Sequence, residues 1–189
     1  EICEEQSTAL DGVVVDTKEL EDCTVTTVEI INETGSKIMN KEIGKYITLE
    51  SDLMKFDDDD SREKVINYLK DELIDIFGTD QSKRTLVIGL GNWNITSDAL
   101  GPRAVSKTLV TRHIFKNYNK DYDDDFSEVA ALSPGVMGIT GIETVEIVKS
   151  IVDKIKPDRV VAIDALASRK MDRVNATIQI STGGIAPGG

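Results

Sequence analysis

The chain has 189 residues, of which 40% are hydrophobic and 30% are charged, and its formal net charge is −12. This composition is ordinary for a globular protein of one domain, so we expect residues 1–189 to form a single domain. An acidic chain repels the phosphate backbone of nucleic acids, which argues against direct nucleic-acid binding and favours a basic protein or peptide as partner.

The cysteines and the histidine argue against a metal centre, and the short apolar runs argue against a membrane-spanning helix. The two cysteines, Cys3 and Cys23, and the single histidine, His113, do not have the spacing of zinc ligands. No apolar run approaches the ~18 residues of a membrane-spanning helix. We therefore expect a soluble, intracellular protein without a metal or cofactor, and a single Cys3–Cys23 disulfide is the alternative to a reducing compartment.

The first part of the chain predicts short strands followed by one long helix. The strand candidates are rich in β-branched residues and are separated by turn residues; they are GVVV (12–15), TVTTVEII (24–31) and KYITLE (45–50). The acidic segment LMKFDDDD (53–60) predicts a solvated loop. Apolar residues at three- and four-residue spacing then predict a helix over residues 61–77, with Ser61 as its N-cap.

From residue 85 onward, strands and helices alternate. The predicted strands are TLVIGL (85–90), VAAL (129–132), RVVAI (159–163) and NATIQIS (175–181). Helices are predicted between the first three, over about 102–115 and 141–155, and NKDYDDDF (119–126) is predicted to be a loop. Strands joined through helices indicate an α/β fold with a mostly parallel central sheet flanked by helices, to which the N-terminal strands are an addition.

Two aspartates follow strands of the predicted parallel sheet. Asp98 comes shortly after the strand that ends near Leu90, and Asp164 comes directly after RVVAI (159–163). Ligand sites in open parallel sheets form beyond the carboxyl ends of the strands, so both carboxylates are predicted at one edge, where a pair can hydrolyse a bond by general acid–base chemistry. For Asp98 the structural alternative is a helix cap, and for Asp164 it is a charge near the core that has a partner.

Two further stretches are candidates for the wall of the same site. Asn92, Trp93 and Asn94 lie between the first strand and Asp98, and Trp93 is either a lid over the site or a core anchor. Gly135 and Gly138 lie in a glycine-rich segment before a helix, where backbone N–H groups can approach a substrate carbonyl. The alternative for these glycines is a loop packed tightly against the sheet.

Five blocks in one order, in a match that covers most of residues 85–188, resemble the germination protease family of spore-forming bacteria. The blocks are GLGNWNITSDALGP, VTRH, LSPGVMGITGIET, AIDALASR and RVNATIQIS. This resemblance implies an endopeptidase, of the atypical aspartic type, that degrades small acid-soluble spore proteins in the spore core during germination. It also implies a homotetramer made as a zymogen, with Asp98 and Asp164 as the catalytic residues.

The resemblance leaves two other hypotheses open and predicts more chain than is present. The GLGN…D pattern with a later IDA is also similar to the hydrogenase maturation peptidases, so a metal-dependent peptidase of that fold is one alternative. A non-catalytic relative of the same fold is the other. Because family chains continue past Gly189 and begin with a propeptide, we expect a C-terminally incomplete chain whose Glu1 is at or near a processed terminus.

Overall fold

The computed structural model describes residues 10–117, 126–167 and 174–184. Contacts between residues divide the chain into two compact units. The N-terminal unit comprises residues 1–78 and 166–185, and the central unit comprises residues 79–165 and 186–189. Folding of the 189 residues as one domain stays a prediction.

The N-terminal unit contains a four-stranded antiparallel sheet with the order β1-β2-β3-β7. Its strands are β1 (Val13–Glu19), β2 (Thr24–Ile30), β3 (Gly44–Glu50) and β7 (Thr177–Ser181). The three predicted N-terminal strands are thus present. The strand predicted at 175–181 is also present, and it joins this sheet by pairing with β3.

One face of this sheet packs on the long helix α2 (Asp59–Phe77). The buried residues of this core alternate along β2 and β3 or lie just before β2; they are Cys23, Val25, Ile47 and Leu49. Tyr68 and Ile76 of α2 pack against them. The alternation along the strands and the three- and four-residue spacing along the helix therefore meet in one apolar layer.

The boundaries of α2 correct two predictions. The helix begins at residue 59, because the carboxylate of Asp58 accepts a hydrogen bond from the Ser61 backbone N–H at 2.8 Å and so acts as the N-cap in place of Ser61. The segment predicted as a loop, 53–60, overlaps a 3-10 turn, Asp52–Lys55, at its start and the first two residues of α2 at its end. A further short helix, α1 (Glu33–Met39), is capped by the side chain of Asn32.

The central unit contains a three-stranded parallel sheet with the order β5-β4-β6. Its strands are β4 (Thr85–Gly89), β5 (Val129–Leu132) and β6 (Arg159–Ile163). Its helices are α3 (Leu100–Lys107), α4 (Arg112–Asn117), α5 (Met137–Thr140) and α6 (Thr144–Ile155). The core comprises the buried Leu86, Ile88 and Leu90, against which the apolar face of α6 packs. The mixed α/β class and the parallel sheet flanked by helices are confirmed.

The amino ends of β4 and β6 are joined by an ion pair. The guanidinium of Arg84 meets both carboxylate oxygens of Asp158, at 3.0 and 3.2 Å, and the Arg84 backbone N–H donates to the same carboxylate at 2.9 Å. These hydrogen bonds lower the pKa of Asp158 to about 2. The pair fixes the register in which the two strands begin.

Two predicted helices differ from the observed ones. The helix predicted over 102–115 is two helices, because the chain leaves the helical conformation at Thr108, whose backbone is extended, and α4 begins only at Arg112. The Thr111 hydroxyl donates to the Ser127 carbonyl at 2.6 Å and accepts from the Val129 N–H at 2.8 Å, so this residue is tied to β5 and cannot continue α3. The helix predicted over 141–155 begins at Thr144, with Glu143 and Glu146 in a capping box.

Some predictions fall on residues outside the described ranges. Most of the predicted loop at 119–126 and Cys3 are among them.

Cys23 is a free thiol in the core of the N-terminal unit, where burial, with the nearby Glu72, raises its pKa. Among the residues that the structure describes, no helix has both the length and the apolar character needed to cross a membrane.

Candidate active site at the carboxyl edge of the parallel sheet

The carboxyl ends of β4 and β6 are held together by the residues that follow them. The Leu90 N–H donates to the Ile163 carbonyl at 2.8 Å, which extends the pairing of the two strands by one residue. Gly101, in the first turn of α3, lies so close that a Cβ atom there would overlap the carbonyl oxygens of Leu90 and Ile163. The start of α3 therefore rests directly on the ends of both strands.

Asp98 reaches this edge through the loop that joins β4 to α3. It ends the 3-10 turn Thr96–Asp98, three residues before Gly101, and it is half-buried. Its carboxylate oxygen Oδ2 accepts a hydrogen bond from the Asn92 backbone N–H at 2.8 Å. The N-cap of α3 is Ala99, which makes no side-chain cap hydrogen bond, so Asp98 is not the helix cap that the structural alternative required.

Asp164 reaches the same edge directly from β6. It follows Ile163, whose carbonyl contacts both Leu90 and the Gly101 position, and it is half-buried. Its Oδ1 accepts a hydrogen bond from the Ala165 N–H at 2.8 Å, which sets the carboxylate against its own backbone. The two aspartates thus belong to segments that are in contact through Leu90, Gly101 and Ile163.

The residues predicted as a site wall after β4 form a tight turn. The Asn92 side-chain oxygen accepts from the Asn94 N–H at 3.0 Å, and the Asn92 carbonyl accepts from the Ile95 N–H at 3.1 Å. Trp93 lies at the tip of this turn with 56% of its surface exposed, so within the described residues it is not a core anchor. Asn94 is exposed beside it.

Gly135 and Gly138 lie beyond the carboxyl end of β5, on the other side of β4. Gly135 has a φ of +77°, and its carbonyl accepts from the Thr144 hydroxyl at 3.3 Å, which ties the loop to the start of α6. Gly138 lies in α5, and a Cβ atom there would have no neighbour within 4 Å. The alternative interpretation of this segment was a loop packed tightly against the sheet. Such tight packing is absent at Gly138.

Exposed apolar side chains in and near these loops were not anticipated from the sequence. Large apolar side chains with about half or more of their surface exposed follow β4 and β5; they are Trp93, Ile95, Leu100, Met137, Ile139, Ile142 and Val145. Their spacing does not match the period of a helix or of a strand. For Met137, Ile139 and Ile142, the signal that could have located them is the series of apolar residues separated by glycines in residues 135–142.

Metal-ligand chemistry was the other possibility for this edge. Within residues 10–117, 126–167 and 174–184, no three His, Cys, Asp or Glu side chains form a group that could hold a metal ion. His113 is exposed on α4. Because α3 ends at Lys107 and His113 belongs to α4, His113 is not on the helix that follows Asp98.

The fold and the edge together define an α/β protein whose parallel sheet carries two aspartates beyond adjacent strand ends. A family model described as germination protease matches residues 1–189. The chain belongs to the germination protease family.

Named relatives agree over nearly the whole chain. Germination proteases from Clostridium acetobutylicum, Clostridium perfringens strain 13 and Bacillus cytotoxicus are 47%, 49% and 44% identical to it, over 98%, 95% and 98% of its length. The same alignments cover 58%, 55% and 51% of those relatives. The chain thus spans about half the length of the curated relatives it matches.

Proposed function

We propose that this chain is the part of a germination protease that carries its catalytic aspartates, and that the whole protein is an endopeptidase. Asp98 and Asp164 are the catalytic residues of this proposal. The observation that carries the proposal is the hydrogen bonding and position of the Asp98 carboxylate. It accepts from a loop amide and does not cap α3, and its segment touches the segment of Asp164 through Gly101.

The chemistry follows from two carboxylates that share one site. The proposal gives one carboxylate the part of general base, which acts in its ionised form, and the other the part of general acid, which acts in its protonated form. The ionised group takes a proton from water as the oxygen attacks the peptide carbonyl. The protonated group gives its proton to the departing nitrogen, and each contribution is worth ~10²–10⁴-fold in rate.

The finer parts of the proposal come from the family resemblance. The substrates are small acid-soluble spore proteins, the location is the spore core in the cytoplasm, and the enzyme is a homotetramer made as a zymogen. The central unit has the fold of the hydrogenase maturation peptidases. Asn92, Trp93, Asn94, Gly135 and Gly138 line the substrate side of the edge, which is supported by their positions after β4 and β5.

Substitution of each aspartate tests the proposal. Asp98→Asn and Asp164→Asn, made in the full-length protein, should each lower kcat for a purified small acid-soluble spore protein by about 10²–10⁴-fold. The double variant should be little worse than either single variant, because groups that act as one unit are not additive. Asp153→Asn, an exposed aspartate of α6, is the matched control and should cleave normally.

Two outcomes would replace the proposal. Near-normal cleavage by either single variant would remove the dyad. Activity that is lost in EDTA and returns with one specific divalent metal would favour the metal-dependent alternative, whereas the dyad predicts cleavage that survives EDTA.

A further inference from the structure

The loop that carries Asp98 is closed by a set of hydrogen bonds that converge on Asn92. The Asn92 backbone N–H meets both the Oδ2 and the carbonyl oxygen of Asp98, at 2.8 and 3.1 Å. The Asp98 N–H donates to the Ile95 carbonyl at 2.9 Å, and the Ile95 N–H donates to the Asn92 carbonyl at 3.1 Å. The two ends of the loop are thereby fixed on each other.

The side chain of Asn92 holds this arrangement from inside the turn. Its Oδ1 accepts from the Asn94 N–H at 3.0 Å, the local contact by which asparagine and aspartate stabilise turns. This contact sets the backbone direction at residue 92 and so aims the N–H that anchors Oδ2 of Asp98. The Asn92 side chain therefore reaches the carboxylate only through its own backbone.

Gly91 fits the same arrangement from the other side. It has a φ of +108°, which favours glycine. A Cβ atom at this position would overlap the Asp98 carbonyl oxygen and would lie 2.9 Å from Oδ1 and 3.1 Å from Cγ of the same side chain. Any side chain at residue 91 would therefore displace the Asp98 carboxylate or cover its second oxygen.

We propose that Asn92 and Gly91 are positioning residues for the Asp98 carboxylate: Asn92 anchors Oδ2 through its backbone amide, and Gly91 leaves Oδ1 uncovered for the reaction. This inference rests on the proposed function, since it gives Asp98 a chemical task. It assigns Asn92 the role of supporting Asp98 and not that of contacting the substrate. No direct contact between the Asn92 side chain and the substrate is needed.

Two series of variants test the inference in the full-length protein, with a small acid-soluble spore protein as the probe. Asn92→Ala removes the acceptor for the Asn94 N–H and should lower kcat by about 10²-fold with KM changed less than about threefold, because a small misplacement of a reacting group costs that much. Asn92→Asp and Asn92→Ser restore an acceptor, and at least one of them should recover most of the loss. Gly91→Ala should lose at least as much kcat as Asn92→Ala.

Gly78→Ala is the matched control for Gly91→Ala. Gly78 also has a positive φ, of +66°, but a Cβ atom there would meet nothing within 4 Å. It therefore reproduces the backbone strain of the substitution without the clash, and its kcat should stay within about twofold of the wild type. Thermal unfolding of each variant identifies any that fail to fold. If Gly91→Ala fails to fold, the Asn92 series alone tests the inference.

The outcomes separate this inference from the proposed function. Asp98→Asn is assayed beside the series, and if it cleaves normally, the proposed function falls and the inference falls with it. If Asp98→Asn is inactive while folded Asn92→Ala keeps kcat within about threefold, only the inference is overturned. A loss in Asn92→Ala that appears in KM, or that neither restoring variant recovers, also overturns it, because it indicates contact with substrate or general damage.

Discussion

The N-terminal unit and the central unit use strands in two different ways. In the N-terminal unit, all strand pairs are antiparallel, so residues that follow successive strands lie at opposite edges of the sheet. In the central unit, both pairs are parallel, and the residues after β4, β5 and β6 share one edge. The second arrangement brings the loops that follow all three strands to the same end of the sheet, where ligand sites form in parallel sheets.

The same difference explains where close backbone contacts occur in the central unit. An edge that receives several loops must bring their backbones together, and Gly89, Gly91 and Gly101 are residues of the central unit at which a Cβ atom would overlap backbone oxygens. All three glycines lie in or beside the segments that carry Asp98 and Asp164. The comparison teaches that the candidate site depends on the parallel sheet and on small residues at its carboxyl edge.

The largest expected effect concerns the cores of the two units. Leu49 and Leu86 are each almost fully buried, at 0% and 1% exposure. Replacing either by alanine should lower the free energy of unfolding by ~2–5 kcal/mol, because a cavity is left in a packed core. If the 189 residues form one domain, each substitution shifts the same single transition in a urea titration.

Cys23 provides the measurement that separates the two units. Its thiol is buried in the N-terminal unit, and its raised pKa keeps it in the unreactive thiol form. If the 189 residues unfold as one domain, Leu86→Ala in a Cys3→Ser background should increase the rate at which a thiol reagent labels Cys23, because unfolding of the whole chain exposes the thiol. Leu86 itself is in the other unit. Labelling that stays at the wild-type rate would mean that the units unfold independently. Leu109→Ala is the control, because Leu109 is 68% exposed.

The second effect concerns the two helical glycines of the central unit. Gly101→Ala should lower the free energy of unfolding by ~1–3 kcal/mol, because its Cβ atom meets backbone that cannot move aside independently. Gly138→Ala has open space and should be neutral or stabilise by up to ~1 kcal/mol, since alanine favours a helix over glycine. Urea unfolding of both variants checks the pair, and equal effects would contradict the close contact at Gly101.

Local patterns predicted most of the strands and the two longest helices, because burial on one face imposes a period that the sequence carries. The predicted helix over 102–115 was wrong at its centre, since Thr111 is tied to residues 127 and 129, and such a contact has no local signature. The edge position of Asp98 and Asp164 followed from their places after two strands. The proposed role of Asn92 could not be predicted from the sequence. An asparagine near a turn has the same local pattern whether or not its backbone N–H donates to a carboxylate.

The smallest effect concerns the opposite edge of the parallel sheet, where Arg84 and Asp158 join β4 to β6. The pKa of Asp158 is lowered to about 2 by its hydrogen bonds from Arg84, whereas an aspartate in an unfolded chain has a pKa of ~3.9. A carboxyl with a lower pKa in the folded state stabilises the protein fully at pH above ~4, and it loses that contribution as the pH falls towards 2.

Asp158→Asn tests this linkage, because it removes the charge and keeps an oxygen that can accept from the Arg84 N–H. The urea midpoint of the variant should be lower than that of the wild type at pH 7, and the difference should shrink as the pH falls from 4 to 2. Asp153→Asn, an exposed substitution on α6, should show no such pH-dependent difference. A difference for Asp158→Asn that stays constant from pH 7 to pH 2 would mean that packing at the strand ends, and not the charge of the pair, accounts for its effect. The pair is exposed, so added salt should reduce the difference at pH 7.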